Sequence, residues 1–153
     1  MTTSTQHSKV LSYLDQAHKE GLDCVTGGGI VEGLECYFIQ PTIYWNVPEE
    51  SALWSEEIFG PVLCTTTFAT EREAIQIVND SNYGLVGSIA SRDWTIAKRI
   101  SAQIEAGQIW INTPQIAYLD SAWGGFKSSA IGRELGPWGM VGYQGVKHIL
   151  SPK

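Results

Sequence analysis

The chain has 153 residues, a formal net charge of -6, 43% apolar residues and 17% charged residues. That length holds an ordinary hydrophobic core, and the balance is globular rather than disordered. The acidity argues against a general nucleic-acid or anionic-membrane surface, because both need clustered Lys and Arg to neutralise phosphates. No apolar run reaches the roughly 20 residues of a membrane-spanning helix, so neither nucleic acid nor membrane is expected as a partner.

The polar start, Met1-Thr2-Thr3-Ser4-Thr5-Gln6-His7, lacks a secretory apolar core, and the expected location is cytoplasmic. Cys24, Cys36 and Cys64 agree with that location. They are odd in number and lack the close spacing of a zinc or redox motif, so they read as free thiols, buried or half-buried, with no metal role. His7, His18 and His148 are scattered without ligand or triad spacing and read as surface residues.

Residues 1–8 read as a polar lead-in. A helix is expected after Ser8, with Val10, Leu11, Leu14 and Ala17 on one face and Gly21 at its end. Asp23 to Thr26 suits a short strand before Gly27-Gly28-Gly29. Tyr37 to Trp45 is aromatic and β-branched, but Pro41 interrupts it, which predicts an edge strand or an extended segment. Val62 to Phe68 reads as a strand. Thr70 and Glu73 then have the spacing of a capping box, followed by an apolar face at Ala74, Ile75 and Val78.

Val86 to Ala90 is the next expected strand. Asp93 can cap a helix carrying Ile96, Ile100 and Ile104 on one stripe, and Gln108 to Asn112 is a further strand. This alternation predicts an α/β fold with right-handed parallel crossovers. Residues 113–139 are rich in Gly and Pro. They form a long loop leaving the carboxyl end of a parallel strand, the edge where ligands bind in such sheets. Val141 to Leu150 reads as a terminal strand.

Two patterns suit ligand chemistry. In Glu56-Glu57-Ile58-Phe59-Gly60-Pro61 a carboxylate can accept hydrogen bonds from sugar hydroxyls, and an aromatic can pack a flat ring. The alternative is a solvated acidic pair beside a core Phe. In the glycine-rich loop, Trp123 can face a cation, an interaction worth roughly 0.5–2 kcal/mol. The alternative is a core or interface anchor. Gly125-Phe126-Lys127-Ser128 lacks the preceding glycine spacing of a phosphate loop, and Gly27-Gly28-Gly29 is not a dinucleotide fingerprint.

Four segments together resemble the aldehyde dehydrogenase superfamily, in order and in register. Glu56 to Pro61 matches its E-E-x-F-G-P motif, and Asn82-Tyr83-Gly84-Leu85 carries the Y/F-G-L end of its N-x-x-Y/F-G-L stretch. Ala106 to Asn112 matches its A-G-x-x-W/x-V/I-N stretch. Trp123 to Glu134 follows the loop P-x-G-G-x-K-x-S-G-x-G-R-E from its second position onward. The resemblance runs from about Lys9 to Leu150. It implies a parallel-sheet catalytic-domain portion over residues 9–140 and an oligomerisation strand and tail over 141–153.

By the same resemblance, Glu57 holds the nicotinamide ribose of NAD or NADP and Phe59 packs near the nicotinamide. Asn112, Gln115 and Trp123 line the aldehyde tunnel, and Glu134 matches a proposed proton relay. The texture is closest to betaine aldehyde and aminoaldehyde dehydrogenases, whose loops carry Trp at the place of Trp123 as part of an aromatic box. Gln108 stands where those relatives have a small residue, and Ser129-Ala130 replaces their Ser-Gly.

In that family the nucleophilic cysteine, the oxyanion donors, the general-base glutamate and the adenosine-binding fold all precede the matched region. None of the three cysteines here has the family's G-Q-x-C surroundings. The resemblance thus implies a truncated chain with no catalytic residue of its own, expected to be inactive alone. Three roles follow. The chain could be completed by an N-terminal aldehyde dehydrogenase half. It could assemble through its C-terminal strand as a homo- or hetero-oligomer. It could be a non-functional remnant.

Overall fold

The computed structural model describes residues 1–34 and 36–152. The chain divides into two compact units, Met1–Phe68 and Ala69–Lys153. Lys153, the end of the expected tail, lies outside the described residues.

The first unit opens on a helix, α1, Ser4–Glu20. It starts four residues before the expected lead-in would end. Thr3 is the cap, and its hydroxyl accepts the Gln6 amide at 3.2 Å. That bond satisfies one of the first-turn N–H groups that a helix leaves without partners. The polar composition of these turns hid them. Val10, Tyr13, Leu14 and Ala17 are buried, the i, i+3, i+4, i+7 spacing of one helix face. Gly21 ends α1 at φ 70°, with its amide donating to Ala17 and His18 carbonyls, the left-handed cap that glycine adopts without a Cβ clash.

Three strands follow in this unit: β1 Asp23–Thr26, β2 Thr42–Trp45 and β3 Val62–Cys64. Their order is β1-β2-β3, antiparallel then parallel. β2 is therefore central, which corrects the edge-strand expectation. Pro41 sits one residue before β2, so its missing N–H removes no ladder bond, and Thr42 donates to the Pro61 carbonyl at 2.8 Å. A one-turn helix, α2 Ala52–Ser55, is capped by Ser51. The core joins Val10, Tyr13, Leu14 and Ala17 to Ile39, Tyr44, Val47, Leu53 and Ile58.

The second unit contains α3 Glu71–Asn79, β4 Tyr83–Gly84, β5 Val86–Ile89, α4 Trp94–Ser101, β6 Gln108–Ile111, β7 Phe126–Lys127 and α5 Gly136–Val141. β5 and β6 are parallel and joined through α4, as the alternation predicts. The expected run of three parallel strands divides, because β3 pairs with β2 while β5 pairs with β6. The Thr70–Glu73 capping box forms in both directions, and Asp93 caps α4 through the amides of Thr95 and Ile96. Arg99 bonds Glu71 through two nitrogens, at 2.8 and 2.6 Å. This fork holds the Glu71 carboxyl below the usual carboxylate range.

The expected strand at Val141–Leu150 is not formed. Gly136-Pro137 starts α5, with proline in the first turn where a missing N–H costs nothing, and Val141 belongs to that helix. Residues beyond Val141 have no strand partner among the described residues, and a strand exists only by pairing. Tyr143, Val146, Ile149 and Leu150 are all strongly exposed.

Thr70→Ala removes the hydroxyl side of the capping box. It is expected to lower stability by about 1 kcal/mol in chemical denaturation, with Thr70→Ser close to unchanged.

Candidate functional site

In the first unit, α1 holds the segment Glu56–Gly60. Gln6 Nε2 donates to the carbonyls of Ile58 (2.9 Å) and Phe59 (3.0 Å). Lys9 Nζ donates to the Glu57 carbonyl at 3.2 Å. The Tyr13 hydroxyl donates to Glu56 Oε2 at 2.6 Å. Residues 6, 9 and 13 share a helix face. Gly60 completes the contact, since a Cβ there would lie 2.7 Å from a Val10 methyl.

These bonds separate the two adjacent carboxylates. Glu56 is tied to Tyr13, which is only 7% exposed. Glu57 is exposed, and among the described residues its carboxylate has no hydrogen-bond or ion-pair partner. Phe59 is 72% exposed, so it is not a core residue. Its φ of 53° is a left-handed backbone that a bulky residue adopts only when its surroundings hold it. The core-Phe part of the sequence alternative is therefore replaced: the ring is open, and of two exposed carboxylates one is bound by Tyr13.

In the second unit, Trp123 and Glu134 form an isolated antiparallel bridge, each amide donating to the other's carbonyl at 2.8 and 2.7 Å. Arg133 Nη1 bonds the carbonyls of Gly125 (2.8 Å) and Gly132 (2.7 Å), and its guanidinium lies 5.2 Å from the Phe126 ring centre. Gly107 admits the loop. A Cβ there would stand 1.6 Å from the Gly124 carbonyl oxygen, an impossible approach for any other residue. Trp123 is half-buried and Glu134 exposed.

Asn112 has a local structural duty. Its side chain donates to the Ser91 carbonyl (2.6 Å) and accepts the Ser91 amide (2.9 Å), tying the ends of β5 and β6. Gln115 is exposed. The next residue, Ile116, offers its carbonyl to both Trp110 Nε1 (2.9 Å) and Gln108 Nε2 (3.2 Å). Gln108 thus anchors the start of the loop. Gln6, Tyr13 and Arg133 escaped the sequence reading as site residues. Gln6 was masked by assigning residues 1–8 to a lead-in, and Tyr13 lay within the expected helix without a sequence signal for its partner Glu56.

The three cysteines differ in exposure, Cys24 and Cys36 being exposed and Cys64 half-buried. The Cys64 thiol donates to the Leu53 carbonyl at 3.3 Å, and burial pushes it above its ordinary pKa, which keeps it protonated. Cys24 is exposed and donates to Thr26 O at 3.3 Å.

Residues 1–149 match the profile of the aldehyde dehydrogenase family. The chain belongs to the aldehyde dehydrogenase family. It is 46% identical over 145 residues to a chloroplastic aminoaldehyde dehydrogenase of Arabidopsis thaliana, covering 94% of this chain and 29% of that protein. It is 42% identical to aminoaldehyde dehydrogenase 1, peroxisomal, of Pisum sativum, covering 97% of this chain and 30% of that protein. A betaine aldehyde dehydrogenase of Staphylococcus aureus in complex with NAD+ superposes with a TM-score of 0.92 at 38% identity, over 97% of this chain and 31% of that one. The chain thus spans under a third of the length of these relatives. No described helix is long and apolar enough to cross a membrane.

The burial of Cys64 gives a reactivity order. A thiol-titrating reagent at neutral pH is expected to modify Cys24 and Cys36 first and Cys64 slowly. The Cys64 rate rises as pH climbs toward its elevated pKa. Three equal rates would contradict this.

Proposed function

We propose that this chain supplies the nicotinamide-side wall of the cofactor site and one wall of the substrate tunnel in an NAD(P)-dependent, aldehyde-oxidising enzyme. The proposed substrates are betaine aldehyde or an aminoaldehyde. The observation that carries the reading is the division of labour in the acidic pair: Glu56 is tied to Tyr13 while Glu57 has no partner among the described residues and stands beside an open Phe59.

The residues fit half of a dinucleotide. A free carboxylate accepts hydrogen bonds from both hydroxyls of a ribose, and an exposed ring offers a flat apolar face to a nicotinamide. The bound nicotinamide would accept the hydride. Glu57 would orient the ribose, and Phe59 would limit where the ring can lie. Solved relatives carry NAD+, which supports the cofactor class. Trp123, the place where the related loops carry a cation-facing Trp, supports a cationic aldehyde through cation–π attraction. Asn112 and Gln115 sit at the start of the same loop as wall residues, and Glu134 is retained as a proton-relay candidate.

The chain is proposed to have no aldehyde-oxidising activity by itself. It is completed by an upstream aldehyde dehydrogenase region carrying the thiol nucleophile and general base. Open apolar side chains favour such completion, since Leu63 is 56% exposed and Val25 and Phe68 more so. The exposed segment after α5 favours a second reading, an assembly partner that adds its strand to another subunit.

The purified chain, given NAD+ and betaine aldehyde, is expected to form no NADH. Co-expression with the upstream region of an aminoaldehyde dehydrogenase is expected to bring activity back, and Glu57→Gln in that complex to raise the cofactor KM about tenfold. No association and no activity on co-expression would contradict the enzymatic reading and leave a remnant.

A further inference from the structure

We propose that Tyr13 is a positioning residue for cofactor binding, because its hydroxyl ties down Glu56 and leaves Glu57 as the carboxylate of the pair with no partner among the described residues. The inference deepens the reading above and rests on Glu57 as the ribose ligand.

Four observations converge on it. The Tyr13 hydroxyl lies 2.6 Å from Glu56 Oε2 and its ring is in the core of the first unit. A rigid, buried donor of this kind holds its acceptor more closely than a flexible surface group would. Glu57 follows immediately in sequence, so the direction of the Glu56 side chain and the course of the backbone are coupled. Gln6 and Lys9 hold the three carbonyls that come next, at Glu57, Ile58 and Phe59. Phe59 is kept at φ 53°, a conformation the segment would leave if its anchors loosened.

Without the Tyr13 hydroxyl, Glu56 is an unpaired carboxylate beside Glu57. It loses its fixed direction, and the backbone between Glu56 and Phe59 loses its first fixed point. Glu57 then samples several directions, and part of the binding energy of the ribose goes into ordering it. Tyr13 itself touches no cofactor in this scheme; it acts through Glu56 and the backbone.

The test is made in the complemented enzyme, by cofactor KM, kcat, NADH binding by fluorescence and thermal unfolding for Tyr13→Phe, Glu57→Gln and the double variant. Tyr13→Phe is expected to raise the cofactor KM and the NADH Kd about fivefold while kcat stays within about twofold. In the Glu57→Gln background the same substitution is expected to add less than about 1.5-fold, because the ligand it positions is gone. A Tyr13→Phe variant with unchanged cofactor binding, or with the same fold-change in both backgrounds, overturns the proposal. A Glu57→Gln variant that binds cofactor normally overturns the reading of Glu57 and the positioning role with it. Should Tyr13→Phe fail to fold, Glu56→Ala removes the same bond from its acceptor side and carries the same expectations.

Discussion

Four consecutive residues, Glu56 to Phe59, are held from one side by a single helix. Tyr13 takes the Glu56 carboxylate, Lys9 the Glu57 carbonyl, and Gln6 the carbonyls of Ile58 and Phe59. The apolar face of the same helix builds the core of its unit through Val10, Leu14 and Ala17. The rigidity of that core is therefore passed to the segment. Backbone polar groups that would otherwise face water are satisfied by side chains of the helix. What remains pointing away is a carboxylate and an aromatic ring. The proposed ligand chemistry of this unit depends on that arrangement.

The second unit solves a similar problem with different means. Its loop from 113 to 135 has little regular structure, so fixed points replace a helix. The Trp123–Glu134 bridge closes the loop on itself, Arg133 binds two of its carbonyls, and Ile116 is held by Trp110 and Gln108. The Gly107–Gly124 approach lets the loop lie against the base of β6. Loops that carry ligand contacts are commonly placed this way by a scaffold that does not itself react.

Much of this was legible in the residues. The capping box at Thr70 and the caps at Asp93 and Gly21 are local, and local chemistry decides them. The parallel pairing of β5 and β6 followed from the alternation of strand and helix. The pairing of β3 with β2 did not, because strand partners are set by packing over long sequence separations. The start of α1 was lost because Ser4 to Ser8 look like a tail until the cap at Thr3 is weighed. A terminal strand was expected, yet a strand exists only by pairing, and residues beyond Val141 pair with none of the described strands. Motif resemblance marked Glu57, Phe59 and Trp123. It did not reveal that Glu56 is an anchor or that Asn112 is occupied by Ser91, since those facts reside in contacts between distant residues.

The most direct measurement is a crystal structure of the complemented enzyme with NAD+ bound. The account predicts the Glu57 carboxylate within about 3 Å of the nicotinamide ribose hydroxyls, with Glu56 still bonded to Tyr13. Ribose hydroxyls bound by Glu56, or by neither carboxylate, would contradict it.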